Sequence, residues 1–180
     1  VDILQMPHID KNTNKPYANR YICGCDPYDD DESNTMSLGS IFVLDLWTDQ
    51  IVAEYTGRPT LADDFYETCR RLALFYNARI NYENNKKGIF SYFAARNCTY
   101  LLTEVLDFLK EKQLMKEGIG NKARGTIANP AINALARNLL RSWLLRPTTI
   151  TSIVDGNEVE TDEYCFKRLN VAEGHPARDA

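Results

Sequence analysis

The chain has 180 residues, 44% hydrophobic and 26% charged, with a formal net charge of −4. That suits one domain with a real core, and the acidic balance argues against a general nucleic-acid coat. No apolar run approaches the roughly 20 residues needed to span a bilayer, so no membrane partner is expected.

The start, Val1-Asp2-Ile3-Leu4-Gln5, lacks the regions of a signal peptide and an initiator Met, which suggests a piece of a longer protein. Residues 1–19, with Pro7, His8 and Pro16 and no periodicity, read as a linker or arm, leaving 20–180 as the domain. Residues 21–25 alternate as a strand that stops at Asp26-Pro27. The acidic turn Asp29-Asp30-Asp31-Glu32-Ser33-Asn34 leads to a second strand over 39–47, and Thr48-Asp49 turns into a third over 50–56. Together they predict an antiparallel three-strand meander.

Thr60 reads as an N-cap, with Asp63 and Asp64 in the first turn. The helix after it places Leu61, Phe65, Cys69, Leu72 and Tyr76 at helical spacing. A fourth strand, 78–84, carries Glu83, and Lys86-Lys87-Gly88 leads into a helix over 89–96. Tyr100-Leu101-Leu102 reads as a short strand and 103–117 as helical, until Gly118, Gly120 and Gly125 open a loop. Pro130 starts a late helix with Ile132, Leu135, Leu139, Trp143 and Leu144 toward a core. Asp155-Gly156-Asn157 signals a hairpin between 150–154 and Glu158-Val159. Phe42, Trp47, Phe65, Phe75 and Trp143 all suit buried faces.

Five scattered cysteines (Cys23, Cys25, Cys69, Cys98, Cys165) provide no second pair for a zinc site and read as reduced, buried thiols. Charge is unevenly spread. Residues 1–66 hold 12 acids against 4 Lys/Arg, whereas 110–146 hold 8 Lys/Arg against 2 acids. An acidic region able to hold metal and a basic region able to meet phosphate fit one another, although solvated faces of differing charge account for the same numbers.

The order β-β-β-α-β-α-β-α predicts an α/β, ribonuclease-H-like fold, a mixed central sheet of antiparallel meander plus parallel strands flanked by helices. There the first strand lies beside the fourth and parallel to it, so Asp26 and Glu83 emerge together at one edge. Two carboxylates so placed are costly unless a cation sits between them. Phosphodiester hydrolysis needs activated water and charge relief, which two divalent cations supply, and hard oxygen ligands suit Mg²⁺ or Mn²⁺. Taken singly, Asp26-Pro27 is a strand-ending turn and Glu83 an edge residue; their convergence is what favours catalysis. Asp29, Asp30, Asp31 and Glu32 could tune or bind the metal, with a solvated acidic loop the alternative for most of them; if one is a ligand, Asp31 is favoured. Lys86 and Lys87, and Lys122 and Arg124 in the glycine-rich loop, are candidate DNA contacts, with ordinary surface loops the alternative. His8 and His175 lie in polar termini and take no catalytic role.

The segments Tyr21-Ile22-Cys23-Gly24-Cys25-Asp26-Pro27, Ile80-Asn81-Tyr82-Glu83-Asn84-Asn85 with Gly88, and Asn121-Lys122-Ala123-Arg124-Gly125-Thr126 before a helix resemble the C-terminal nuclease domain of a tailed-phage terminase large subunit. Ser37-Leu38-Gly39 resembles the crAss-like versions. The resemblance implies a two-metal endonuclease cutting concatemeric double-stranded DNA, with Asp26 and Glu83 as metal ligands. It implies as partners a terminase ATPase domain (no Gly-x-x-x-x-Gly-Lys-Ser/Thr is present), a small terminase subunit and a portal, in host cytoplasm at the procapsid. A third acid belongs near the family's C-terminal helix. Asp162 and Glu163 fall by the hairpin, so Asp179, or a residue past Ala180, is the expectation. Rival expectations are a resolvase-type nuclease of the same fold and a non-catalytic module docking DNA or portal.

Overall fold

The computed structural model describes residues 1–29, 38–112, 114, 124–146, 148–154 and 157–163. It divides into two compact units, Val1–Asn129 and Pro130–Ala180. The division expected after residue 19 does not occur, because the first residues belong to the sheet. Strand β1 (Asp2–Ile3) pairs antiparallel with β6 (Gln50–Gly57). The N–H groups of Leu4 and Gln5 both donate to the Val52 carbonyl, and the Tyr76 hydroxyl donates to that of Gln5 at 2.6 Å. A small ladder of β2 (Ile9–Asp10) and β3 (Lys15–Pro16) follows. Backbone pairing of this kind asks for no side-chain period, so the segment looked like an arm.

The main sheet is mixed and runs β1-β6-β5-β4-β7, with β4 at Tyr21–Asp26, β5 at Gly39–Asp45 and β7 at Arg79–Tyr82. Strands β4, β5 and β6 form the antiparallel meander, and β7 lies parallel to β4 as the order of elements required. Alternation places one face of each strand inward: Tyr21, Cys23 and Cys25 from β4, Ile41 and Val43 from β5, Ile80 and Tyr82 from β7.

Helix α1 (Ala62–Tyr76) covers that face with Phe65, Tyr66, Cys69, Leu72, Ala73 and Tyr76, an apolar stripe at spacings of three and four. Its N-cap is Leu61 in extended backbone without a side-chain cap, not Thr60; Leu61 is thereby turned outward and 51% exposed. Asp63 and Asp64 still place negative charge on the first turn. The helix ends at Asn77 in the left-handed region (φ 52°), with Ala78 N–H on Ala73 O and Asn77 N–H on Leu74 O. This Schellman pair stops the helix sharply and turns the chain straight into β7.

Helix α2 (Gly88–Ala95) packs beside α1, where Tyr92 Oη donates to Glu67 at 2.8 Å. Arg70 and Arg71 also donate to Glu67 and hold its carboxyl well below the usual range, against the opposing effect of burial. Residues 99–101 form a 3-10 turn rather than a strand, although Leu102 does bridge Ile80 in parallel. Of the helix expected over 103–117, α3 (Asp107–Glu111) is present.

Under the meander, Arg20 meets Asp45 in a bidentate pair (2.7 Å at the shortest), the two side chains 7% and 0% exposed. Burial pushes the Asp45 carboxyl up, but the Arg20 hydrogen bonds and the Trp47 N–H together hold it below its ordinary value. Trp47, expected in the core, is 60% exposed and lies under the Arg20 guanidinium at 4.5 Å. Phe42 (38%) and Phe75 (42%) are also outside the core, and Phe65 is fully inside. Cys23, Cys25, Cys69 and Cys98 are buried free thiols, as read; Cys165 lies outside the described residues.

In the second unit α4 (Pro130–Leu145) starts at the expected proline, with Ile132 buried. Leu135, Trp143 and Leu144 are half-buried, but Leu139 is 52% exposed, so the inward stripe is narrower than the pattern suggested. Strands β8 (Thr148–Val154) and β9 (Asn157–Glu163) form the anticipated hairpin, closing Val154 on Asn157. No helix among the described residues is long and apolar enough to cross a membrane.

Candidate active site

The parallel register of β4 and β7 pairs Cys25 with Tyr82, and the Glu83 N–H continues the ladder onto Cys25 O at 3.0 Å. Asp26 and Glu83 are therefore lateral neighbours, both on the face of the sheet opposite α1. On one side of them Thr126 bridges Glu83; on the other, Ser40 stands opposite Asp26 and shares a 2.9 Å hydroxyl contact with Thr56. A single row at the sheet edge thus reads Thr126, Glu83, Asp26, Ser40, Thr56.

Burial raises the Glu83 carboxyl above its ordinary value, and the Asp26 charge and a hydrogen bond between the two carboxyls raise it further. Lys86 and a hydrogen bond from Asn85 oppose the shift. Asp26 is exposed and Glu83 half-buried, so the pair is open to solvent on one side. Two adjacent carboxyl groups, one of them disfavoured as an anion, form a hard-oxygen site that a divalent cation can enter. Among the described residues no third His, Cys, Asp or Glu joins them.

The loops around the pair are tied down by groups the sequence did not single out. Asp29, three residues past Asp26, accepts from the Lys87 N–H (2.8 Å), the Gly88 N–H (3.1 Å) and Tyr66 Oη (2.9 Å). Its carboxylate caps α2 from the loop after the adjacent strand and fixes the segment after Asp26 to the segment after Glu83. Gly88 is required there, since a Cβ would strike Tyr66 Oη and come within 2.8 Å of Asp29 Oδ1. Asn84 Nδ2 donates to Arg124 O at 2.5 Å and Asn85 Nδ2 to Ala128 O at 3.1 Å. The Asn81 side-chain Oδ1 accepts from the hydroxyls of Thr103 and Thr126.

Among the expected cations, Lys86 is close enough to act on Glu83, and Lys87 is exposed at the start of α2. Arg124 is engaged elsewhere: its guanidinium donates to Leu102 O at 2.9 Å and lies 3.9 Å from Glu104. These contacts tie Arg124 to Leu102 and Glu104. Gly125 beside it has φ +66°, with Tyr82 O only 2.6 Å from where a Cβ would be. Asp31, Lys122 and Asp179 lie outside the described residues.

No family model matches the chain. A stretch of 27 residues, 15% of the chain, is 63% identical to the phenylalanine–tRNA ligase alpha subunit of Mesoplasma florum and 67% identical to that of Lactococcus lactis subsp. cremoris. The match spans 8% of the length of those relatives. Among solved structures the chain is similar to the crystal structure of the large terminase nuclease from thermophilic phage G20c. Identity is 14% and the TM-score 0.37, over 89% of this chain and 84% of that one. These overlaps are too short or too loose to assign chemistry, which rests on the side chains themselves.

Proposed function

We propose that the first unit is a metal-dependent endonuclease of the ribonuclease-H-like class, acting on double-stranded DNA as the nuclease of a phage packaging terminase. The observation that carries the reading is the pairing of Asp26 and Glu83 at the ends of parallel strands, with Glu83 reluctant to ionise beside its neighbour. Asp26 and Glu83 would hold Mg²⁺ or Mn²⁺ through their carboxylate oxygens. Such an ion supplies charge relief on the phosphate and an activated water. Asn85 orients the Glu83 carboxylate, Lys86 draws the phosphodiester toward the edge, and Asp29 keeps both loops in register. A two-ion site needs a further acid, for which Asp31 and Asp179 are the candidates. The same reading places an ATPase domain, a small terminase subunit and a portal as partners, in host cytoplasm at the procapsid.

A second reading, a non-catalytic module docking on DNA or portal, is favoured by one observation: just two carboxylates meet among the described residues. A plasmid-nicking assay in Mn²⁺ separates them. The nuclease reading expects nicking by the wild type and none by Asp26→Ala or Glu83→Ala. Equal nicking by all three proteins removes the site assignment. No nicking by any of them, with Mn²⁺ bound, leaves the docking module.

A further inference from the structure

At the N-terminal ends of β4 and β7, the end of those strands opposite to Asp26 and Glu83, lies a cavity of about 410 Å³. Ile22 and Leu101 contribute apolar wall, and Asn19, Arg79, Tyr100 and Thr103 contribute polar groups. Arg79 is exposed and has no ion pair or side-chain hydrogen bond among the described residues. Tyr100, an aromatic, is 61% exposed. An uncommitted guanidinium and an open ring at one cavity are the two groups a nucleotide needs, one for phosphate and one for base stacking.

The strand geometry links this cavity to the carboxylates. Arg79, Asn81 and Glu83 occupy one side of β7, so Arg79 stands about 13 Å from Glu83 along the strand. Between them on β4 lies Gly24, exposed, where a Cβ would meet nothing within 4 Å. Asn81 uses its carbonyl on Thr103 and Thr126, and its amide hydrogens have no partner among the described residues. A cavity of this volume lies in the size range of small-ligand sites.

We propose that this cavity binds one nucleotide of an unpaired DNA strand, Arg79 on the phosphate and Tyr100 on the base, a few nucleotides from the diester held at Asp26 and Glu83. The proposal rests on the nuclease reading for its substrate and names a strand the enzyme holds open beside the cut. The test is fluorescence anisotropy with a short labelled oligo(dT) and with a blunt duplex, in EDTA so that neither metal nor cleavage enters. The wild type binds the single strand more tightly than the duplex. Arg79→Ala lowers single-strand affinity about tenfold and reduces the salt slope by about 0.7, while Arg79→Lys retains that slope. Tyr100→Ala lowers affinity about tenfold and Tyr100→Phe does not. Circular dichroism confirms that each variant is folded. Affinities of Arg79→Ala and Tyr100→Ala within twofold of the wild type, or a preference for duplex, overturn the proposal. Hydrolysis of bis(p-nitrophenyl) phosphate in Mn²⁺ by the wild type and Asp26→Ala reports the cleavage reading separately, so the two can fail independently.

Discussion

Replacing Asp29 with Ala removes the acceptor that joins the two loops of the candidate site. The Lys87 and Gly88 amides at the start of α2 lose their partner, while Tyr66 Oη keeps the Tyr28 carbonyl at 2.6 Å. Loss of a helix N-cap costs about 1 kcal/mol, and the second amide together with the lost charge at the positive helix end adds about as much. The expected destabilisation is therefore about 2 kcal/mol. It is read in urea as a lower midpoint at unchanged m, and on heating as a fall of about 8 °C. Asp29→Asn keeps one acceptor and loses the charge, so it should fall about halfway. A midpoint unchanged in Asp29→Ala would refute the view that this carboxylate fastens the two loops together.

Four further outcomes are expected. Asp45→Ala strands the buried Arg20 guanidinium and should destabilise by about 3–5 kcal/mol in denaturant titrations. Because the Asp45 carboxyl is depressed in the folded protein, its contribution is present above the unfolded value and lost as pH falls through the folded one. Phe65→Ala empties a fully buried site against Tyr28, Tyr55 and Tyr66 and should cost about 3–5 kcal/mol by the same measurement. Gly125→Ala forces a Cβ at positive φ against the Tyr82 carbonyl and should cost about 1–2 kcal/mol or more. Finally, Glu83 is raised in the folded state, so without metal its contribution is full below its unfolded pKa and fades as pH rises through the raised value. Added Mn²⁺ should reverse that trend, and thermal melts across pH with and without the ion read both signs.

The central strands and their adjacency were legible because each is an apolar run of strand length and the order of elements leaves β7 beside β4. The convergence of Asp26 and Glu83 follows from that register alone. Asp29 was illegible as a cap, since the amides it accepts lie 58 and 59 residues further on and no local pattern links them. Residues 1–19 hid their role because β1 joins the sheet by backbone bonds. Phe42 and Trp47 misled for a different reason: hydrophobic character says that a ring gains from cover without saying what supplies it. For Trp47 the cover is Arg20 and Tyr17. The contacts of Arg124 with Leu102 and Glu104 were illegible in its glycine-rich setting, since the partners lie some twenty residues earlier.

Whether those two acidic side chains jointly cage a divalent ion is tested most directly by titrating the protein with Mn²⁺ and following free ion by electron paramagnetic resonance. The account predicts saturable binding to the wild type that weakens at least tenfold in Asp26→Asn and in Glu83→Gln, and that strengthens as pH rises past the Glu83 value. Binding of equal strength in all three proteins would contradict it.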